Sequence, residues 1–314
     1  MTQSPGIHVI DTGFVRPGFD AAYLVVESGH AAFIDCGTNH SVPRMLAALE
    51  RAGLTAANVD WLILTHVHLD HAGGAGELIA QLPHAQLLVH PRGARHMIDP
   101  SKLWAGASAV YGEEVMEREY GRLRPVPAER VVEAGDGHEI DLAGRILRAL
   151  DTPGHAKHHN AIHDERANVC FTGDVFGLSY REFDTEKGPF ILPTTSPVQF
   201  DPQELHASVD RLVALHPAAM YPTHFGRIED VARLAADLHV QIDAMVALAL
   251  QAGTDANRHA RLIDGLTGLY AARARAHGWT GGRNALEQLL RMDIELNAQG
   301  LEVWLDRTVA GSVP

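Results

Sequence analysis

Four side chains of metal-binding type stand within six positions of one short segment. They are His66, His68, Asp70 and His71, and the segment directly follows the apolar run Trp61–Leu64. Imidazole nitrogens and carboxylate oxygens are the ligands that zinc and similar divalent cations take. A single histidine on an apolar segment is usually a packed core residue, but that explanation would have to hold for four neighbouring side chains at once. The segment therefore predicts a metal site.

The position of this segment at a strand end also indicates how its ligands divide. A turn at this point can direct His66 and His68 to one side and Asp70 and His71 to another. Such a division suits two adjacent cations, one bound mainly by histidines and one that shares a carboxylate.

Three later segments repeat the arrangement of an apolar run, a turn and a ligand-type side chain. They are Asp151-Thr152-Pro153-Gly154-His155, Phe171-Thr172-Gly173-Asp174 and Met220-Tyr221-Pro222-Thr223-His224. Each pattern is weak by itself. Because all three accompany the first motif, we predict that further ligands of the same site come from these later strand ends.

The elements that must position these residues read as strands alternating with helices. Apolar runs bounded by Gly, Pro or Asp predict strands at Trp61–Leu64, Gln86–Val89, Ile146–Leu150 and Val169–Thr172, and a hairpin that turns at Glu27–His30. Helical spacing of apolar residues predicts a helix from Pro43 to Gly53. Such alternation is typical of a layered α/β architecture.

Two parts of the chain depart from this alternation. The segment from about 98 to 122 is helix-like and interrupts two strand candidates, so we interpret it as an insertion, either a lid or a surface excursion. From about 229 onward apolar residues keep only helical spacing, which predicts two or three helices. We therefore predict a catalytic domain over residues 1–228 and a helical C-terminal subdomain over 229–314.

The order and spacing of these motifs resemble the metallo-β-lactamase superfamily, and within it the glyoxalase II-like branch. The matching residues are the run Thr65–Gly74, Thr152-Pro153-Gly154-His155 with His159, Thr172-Gly173-Asp174, His224, and the early turn Asp35-Cys36-Gly37. The resemblance covers about residues 8 to 228. It implies an αβ/βα sandwich with the site at one edge of two facing sheets, to which the helical spacing after residue 229 adds a helical C-terminal extension.

The resemblance also implies an assignment of the ligands. His66, His68 and His155 would bind a first metal ion; Asp70, His71 and His224 would bind a second; Asp174 would bridge both. Zinc is the expected metal, and iron or manganese are alternatives that members of this branch take.

A pair of cations predicts hydrolysis by a metal-bridged hydroxide. Two cations that share a water lower its pKa toward neutrality and polarise a substrate carbonyl. Asp70 can then steady the leaving group or transfer its proton. The expected substrate is an ester, lactone or thioester, and neither Cys36 nor Cys170 is needed as a nucleophile, so both are predicted to be buried free thiols.

Further residues are predicted around the ligands with less specific roles. Asp35 either orients a ligand histidine or only shapes its turn, His159 is expected to donate a structural hydrogen bond, and His158 faces substrate or solvent. Tyr180 and Arg181 follow Asp174 closely and either contact substrate or are structural. Five other histidines are predicted at the surface: His8, His30, His84, His259 and His277.

Other functions remain as alternatives. The same metal pair supports a phosphodiesterase, and a persulfide dioxygenase would use one iron held by two histidines and a carboxylate. A flavodiiron enzyme is disfavoured because His68 stands where that group has Glu, and a non-enzymatic role would leave the ligand set unexplained. The loop after Asp174 lacks the glutathione-binding pattern of true glyoxalase II enzymes, which argues against hydroxyacylglutathione as substrate.

The amino-acid composition of the chain limits the classes of partner that it is expected to bind. The formal net charge of −13 argues against a nucleic-acid binder, which normally carries a basic face. The first six residues show no secretory signal, and no window reaches the roughly 18 apolar residues of a membrane span. We predict a cytoplasmic enzyme with a small-molecule substrate and without nucleic-acid or membrane partners. Its apolar C-terminal helices either pack on the catalytic domain or form a homodimer interface.

Overall fold

The structure is a computed structural model, and it describes residues 5–195 and 198–310. Most of the stretch considered for a secretory signal, residues 1–4, lies outside these residues. The chain folds into two compact units. The first holds the residues up to Asp151 together with His158–Gly173 and Pro217–Arg227, and the second holds Thr152–Lys157, Asp174–His216 and the residues from Ile228 onward.

The first unit contains a mixed sheet of six strands in the order β1 to β6. These are β1 (Ile7–Asp11), β2 (Ala21–Glu27), β3 (His30–Ile34), β4 (Val59–Ile63), β5 (Gln86–Val89) and β6 (Val131–Glu133). The pairs β1–β2 and β2–β3 are antiparallel, and the later pairs are parallel. Glu27 pairs with His30, so the predicted hairpin is present at the predicted turn.

Six helices accompany this sheet. They are α1 (Val42–Arg51), α2 (Leu69–Ala72), α3 (Ala75–Gln81), α4 (Pro91–Ile98), α5 (Ser101–Tyr111) and α6 (Glu113–Glu119). Met45 of α1 and Leu78 of α3 share one apolar core with Leu24, Phe33 and Leu62 of the sheet. The segment from 98 to 122 is helical and lies between β5 and β6 along the chain, in agreement with its helix-like pattern.

A second sheet completes the first unit. Its strands are β7 (Glu139–Leu142), β8 (Arg145–Asp151), β9 (Asn160–Asp164), β10 (Val169–Gly173) and β11 (Ala219–Pro222), and their spatial order is β11-β10-β9-β8-β7. A second apolar core joins Ile34 and Ile63 of the first sheet to Leu147, Phe171 and Tyr221 of the second. The two sheets therefore face each other, and the predicted α/β sandwich is confirmed.

The second unit is mainly helical. It contains α7 (Pro202–Val213), α8 (Val231–Ala252), α9 (Arg258–His277) and α10 (Arg283–Ala310). The last three confirm the helical C-terminal extension. Gly253 and Gly278 end α8 and α9 with φ of 64° and 100°, a conformation that glycine adopts without strain. His277 was predicted at the surface, and that prediction is wrong. The residue is buried, and its Nε2 lies 3.0 Å from the carbonyl oxygen of Gly188.

Among the described residues, α8 is the one helix whose length and composition would allow it to cross a membrane. Its buried apolar face packs within the second unit, as shown by Leu234, Leu238 and Ile242. Its Asp237 forms ion pairs with Arg233 and Arg273. A helix in the core of a folded protein passes the same test of length and composition.

Candidate metal centre

The loop that follows β4 is fixed by hydrogen bonds to the end of β3. The backbone nitrogen and Oγ1 of Thr65 donate to the carboxylate of Asp35, at 2.8 Å each for the closest oxygens. His68 then has extended backbone and precedes α2, which carries Asp70 and His71 in its single turn. The change from extended chain to helix directs the two pairs of ligand-type side chains differently, as the sequence suggested.

Asp70, His71 and His224 form one group of possible ligands, with one atom of each within 4.8 Å of the others. Asp70 Oδ2 lies 3.8 Å from His71 Nε2 and 3.5 Å from His224 Nε2. Atoms bound at about 2.0–2.1 Å to one tetrahedral zinc ion are about 3.4 Å apart. The three side chains therefore fit one divalent cation.

A second group of possible ligands also has one atom of each side chain within 4.8 Å of the others. Its members are His66, His68, His155 and Asp174. His66 Nε2 lies 2.8 Å from His68 Nδ1, and His155 Nε2 lies 3.4 Å from Asp174 Oδ2. His155 stands between β8 and β9, and Asp174 directly follows β10. Three imidazoles and one carboxylate suit zinc and similar borderline cations.

Hydrogen bonds at the far side of three rings determine which nitrogen each ring presents. Nδ1 of His71 donates to Asp35 Oδ2 at 2.9 Å, because an ionised carboxylate can only accept. Nδ1 of His224 donates to the carbonyl oxygen of Phe19 at 2.8 Å, and Nδ1 of His155 to that of Thr194 at 3.4 Å. In each ring Nε2 therefore carries the lone pair that a cation needs.

Asp35 is a shared acceptor behind the site. Its carboxylate is buried and accepts from Thr65 and His71 and, at 3.1 Å, from Thr223 Oγ1. Thr223 immediately precedes the ligand-type residue His224. Of the two roles considered for Asp35, this arrangement is that of a residue that orients a histidine.

Asp20 lies beside the centre and was not identified from the sequence. It is fully buried, and its Oδ2 accepts from Thr12 Oγ1 at 2.7 Å. Burial raises the pKa of Asp20 to about 7, although the nearby His224 and His71 oppose the rise. A single aspartate after Gly18-Phe19 carries no ligand spacing, so the sequence offered no signal for it.

His158 and His159 are both buried, which removes the solvent-facing option for His158. The His158 ring centroid lies 5.5 Å from that of His68, and the His159 ring centroid lies 5.0 Å from that of His66. Gly173 has φ of 48°, and a Cβ on it would lie 2.5 Å from His159 Nε2. Only glycine therefore allows the chain to pass here before Asp174.

Tyr180 and Arg181 have partners within the second unit. The Tyr180 hydroxyl donates to Asp293 Oδ1 at 3.0 Å, and the Tyr180 side chain is buried. Arg181 donates to Ser179 Oγ at 3.2 Å and to Asp184 at 3.3 Å. These contacts agree with a structural role for the pair, and contact with substrate stays a prediction.

Cys36 and Cys170 are buried free thiols, as predicted. Burial raises the pKa of the Cys170 thiol to about 12 and also raises the pKa of Cys36. Neither group is a thiolate at neutral pH, so neither has the form that acts as a nucleophile.

Comparison with known proteins identifies a family. The family model described as the metallo-beta-lactamase superfamily matches residues 15–224, more than half of the chain. A metallo-beta-lactamase fold-containing protein of Sulfurisphaera tokodaii is 28% identical over 228 residues, 71% of this chain and 79% of its own. A hydroxyacylglutathione hydrolase of Aeromonas hydrophila is 28% identical over 201 residues, and the match spans 63% of this chain and only 59% of that relative.

Two solved structures share the fold. The archaeal metallo-beta-lactamase superfamily protein from Sulfolobus tokodaii superposes with a TM-score of 0.66 at 25% identity, covering 94% of this chain and 98% of its own. A metallo-beta-lactamase family protein from Thermus thermophilus superposes with a TM-score of 0.63 at 26% identity, covering 92% of this chain and 94% of its own. Both coverages extend beyond the matched family region into the helical extension.

Proposed function

Because the chain belongs to the metallo-beta-lactamase superfamily and is a metal-dependent hydrolase, we propose that it uses two divalent cations to hydrolyse a carboxylic ester, lactone or thioester. The observation that carries the proposal is the presence of two ligand groups, one of Asp70, His71 and His224 and one of His66, His68, His155 and Asp174. Each group offers enough nitrogen and oxygen atoms for a cation of its own.

The cations, of which zinc best suits this set of donors, would supply Lewis acidity for the substrate carbonyl and a more acidic water. Asp174 bridges the two groups in this proposal. The protein contributes fixed ring orientations, since Asp35 and the carbonyl oxygens of Phe19 and Thr194 hold the far nitrogens of His71, His224 and His155. Preset ligands need no reorganisation during the reaction.

Asp70 is the proposed proton carrier. Its side chain is 26% exposed, whereas those of His71 and His224 are 0% and 5% exposed. Water and substrate can therefore reach its carboxylate more easily than the rings beside it. In this role Asp70 holds a proton from the attacking water and returns it to the leaving oxygen or sulfur.

An acyl substrate is favoured over a phosphodiester. The relative from Aeromonas hydrophila carries the name of a hydrolase of an acyl-glutathione, and the net charge of −13 disfavours a polyanionic substrate. Glutathione itself is not proposed as the carrier, since the loop after Asp174 lacks that pattern. The proposed substrate is a small molecule, and the proposed location is the cytoplasm. The proposal also includes a homodimer whose interface is formed by the C-terminal helices.

The test combines metal analysis with a substrate panel. The purified protein, expressed without added metal, is analysed by plasma mass spectrometry and then assayed on lactones, thioesters, esters and phosphodiesters. About two zinc ions per chain and turnover of acyl substrates are expected. About one iron per chain with no second metal on titration would favour the persulfide dioxygenase alternative, and turnover of phosphodiesters alone would favour the phosphodiesterase.

A further inference from the structure

A second set of ligand-type side chains lies on two neighbouring helices of the second unit. His206 and Asp210 are one turn apart on α7, and His239 and Asp243 are one turn apart on α8. We call these four side chains the α7–α8 cluster. None of them belongs to the two ligand groups of the candidate metal centre.

The two imidazole rings of the cluster face each other. Their centroids are 4.9 Å apart at an angle of 18°, and the Nδ1 atoms of His206 and His239 are only 2.6 Å apart. Each Nε2 meets an aspartate of the opposite helix, His206 with Asp243 at 3.1 Å and His239 with Asp210 at 3.0 Å. The contacts are thus reciprocal between the helices.

The carboxylates determine which ring nitrogen carries hydrogen. The side chains of Asp210 and Asp243 are 73% and 77% exposed, and each carboxylate is the acceptor for the imidazole that it contacts. An ionised carboxylate only accepts hydrogen bonds, so each Nε2 is the donor and each neutral ring has its lone pair on Nδ1. Two lone pairs that face each other at 2.6 Å repel unless a cation lies between them.

Either a proton or a metal ion can be that cation. A histidine that binds a metal through one nitrogen usually donates its other N–H to a carboxylate, which fixes the tautomer and makes the ligand more basic. The α7–α8 cluster contains this arrangement twice, and the two Nδ1 atoms are close together. The side chains of His206 and His239 are 25% and 27% exposed, so a hydrated ion has access.

We propose that His206 and His239 bind one divalent transition-metal ion through their Nδ1 atoms, with Asp210 and Asp243 as the carboxylates behind them and water as the remaining ligands. The site is separate from the proposed catalytic pair. Bonds of about 2.0–2.1 Å to a tetrahedral ion hold two nitrogens about 3.4 Å apart. The rings therefore separate by about 0.8 Å on binding, which these partly exposed side chains allow. The ion would tie α7 to α8.

Zinc titration followed by calorimetry tests the site. The enzyme is first saturated with zinc at the catalytic centre and freed of excess metal, and Zn²⁺ is then added. We expect one further equivalent with a Kd in the micromolar range or below. His206→Ala and His239→Ala should each weaken this step at least tenfold without changing hydrolysis. Asp210→Asn and Asp243→Asn should weaken it about 10-fold to 100-fold, as loss of such carboxylates usually does.

His259→Ala is the matched control. His259 also lies on a helix surface and contacts two carboxylates, Glu302 at 2.9 Å and Glu295 at 3.3 Å, but these contacts involve no second imidazole. This variant should keep the further equivalent. His206→Gln, with circular dichroism of every variant, separates loss of the site from loss of folding.

Copper provides a second, spectroscopic test. Cu²⁺ binds such ligands more tightly than zinc, and its electron paramagnetic resonance spectrum should show two nitrogen ligands that become one in His239→Ala. The proposal is overturned if no further zinc binds at about 100 µM, a hundredfold above a micromolar Kd, or if both alanine variants bind it like the wild type. In that case a proton shared between the two Nδ1 atoms would account for their separation of 2.6 Å. Because hydrolysis is measured separately, failure of this site leaves the proposed function untouched, and the converse also holds.

Discussion

The carboxylate of Asp35 accepts a hydrogen bond from Nδ1 of His71 at 2.9 Å, and both side chains are completely or almost completely buried. Asp35 follows β3 and His71 belongs to α2, so the contact joins two elements that are 36 positions apart. The same carboxylate holds Thr65 and Thr223, which precede His66 and His224. One buried acid therefore influences the position of three ligand-type histidines.

Replacement of this acid should weaken metal binding more than it changes the fold. In Asp35→Asn the amide oxygen can keep one of these hydrogen bonds, but the negative charge that makes His71 more basic is lost. We expect a 10-fold to 100-fold loss of affinity at the Asp70, His71 and His224 group, measured by competition with a chromophoric chelator. Asp60→Asn, at an exposed aspartate that also contacts a histidine, should have no effect. Equal affinities in both variants would contradict this role of Asp35.

The paired substitution of His66 and His68 by alanine should remove activity and metal but not the fold. The apolar cores that hold the sheets together contain neither side chain, so the circular dichroism spectrum should be retained. The measurements are metal content and turnover of the best acyl substrate. His84→Ala, at an exposed histidine, is the control, and full activity of the double variant would exclude the metallohydrolase mechanism.

Asp174→Ala should lower the metal content at both positions, since the proposal assigns this one carboxylate to two cations. Loss of about one metal ion with the other bound as in the wild type would contradict the bridging role. Plasma mass spectrometry after dialysis against a weak chelator provides the measurement.

Asp20 should give the metal-free protein an unusual dependence of stability on pH. Burial raises its pKa from 3.8 to about 7, so the folded protein binds this proton more tightly than the unfolded chain does. The protonated Asp20 contributes on the order of a few kcal/mol to the free energy of unfolding. This contribution is fully present below about pH 4 and is lost as the pH rises through 7. Urea unfolding of chelator-treated protein should therefore show stability falling with pH, and Asp20→Asn should flatten this slope.

Asp99→Asn supplies the control for that slope. Asp99 is exposed, and hydrogen bonds from Ser101 lower its pKa, so its own small contribution has the opposite sign. The slope in this variant should match that of the wild type. An unchanged slope in Asp20→Asn would show that other groups cause the pH dependence.

Arg145 and Asp164 form a buried ion pair, and breaking it should be costly. Arg145 Nε donates to Asp164 Oδ2 at 2.9 Å, and the side chains are 2% and 0% exposed. Arg145→Met leaves Asp164 as a buried charge without its cation, so unfolding should require about 3–5 kcal/mol less. Arg148→Met breaks exposed ion pairs with Glu139 and Glu165. It should lower the free energy of unfolding by less than about 1 kcal/mol. Urea denaturation compares the two, and similar losses would contradict the prediction.

The strands that carry long apolar runs were predictable, and the short or mixed ones were not. β5 matches its predicted range Gln86–Val89, and β8 and β10 extend their predicted ranges by one or two residues. β7 has four residues that alternate between exposed and buried, and it gave no apolar run. α7 was missed although Asp201 caps it and Pro202 begins it, which is a recognisable helix start.

The ligand-type residues were predictable because each combines a reactive side chain with a turn after a strand. Their outer partners were harder to find. His224 is held by the backbone carbonyl of Phe19, and a carbonyl group has no sequence signature. Asp20 acquires its raised pKa only from burial beside residues far along the chain. Such properties belong to tertiary packing and not to local sequence.

Asp70, His71 and His224 are close in space, but the first two precede most of the chain that builds the two sheets. Thr223, the residue between β11 and His224, accepts a hydrogen bond through its carbonyl oxygen from the backbone nitrogen of Ala21 at the start of β2. During synthesis, the ribosome must therefore release residue 224 before this group of ligands can assemble. Metal loading at this group therefore has to wait until residue 224 has emerged, and a chain that ends before β11 would lack His224, one of the three ligand-type residues of this group.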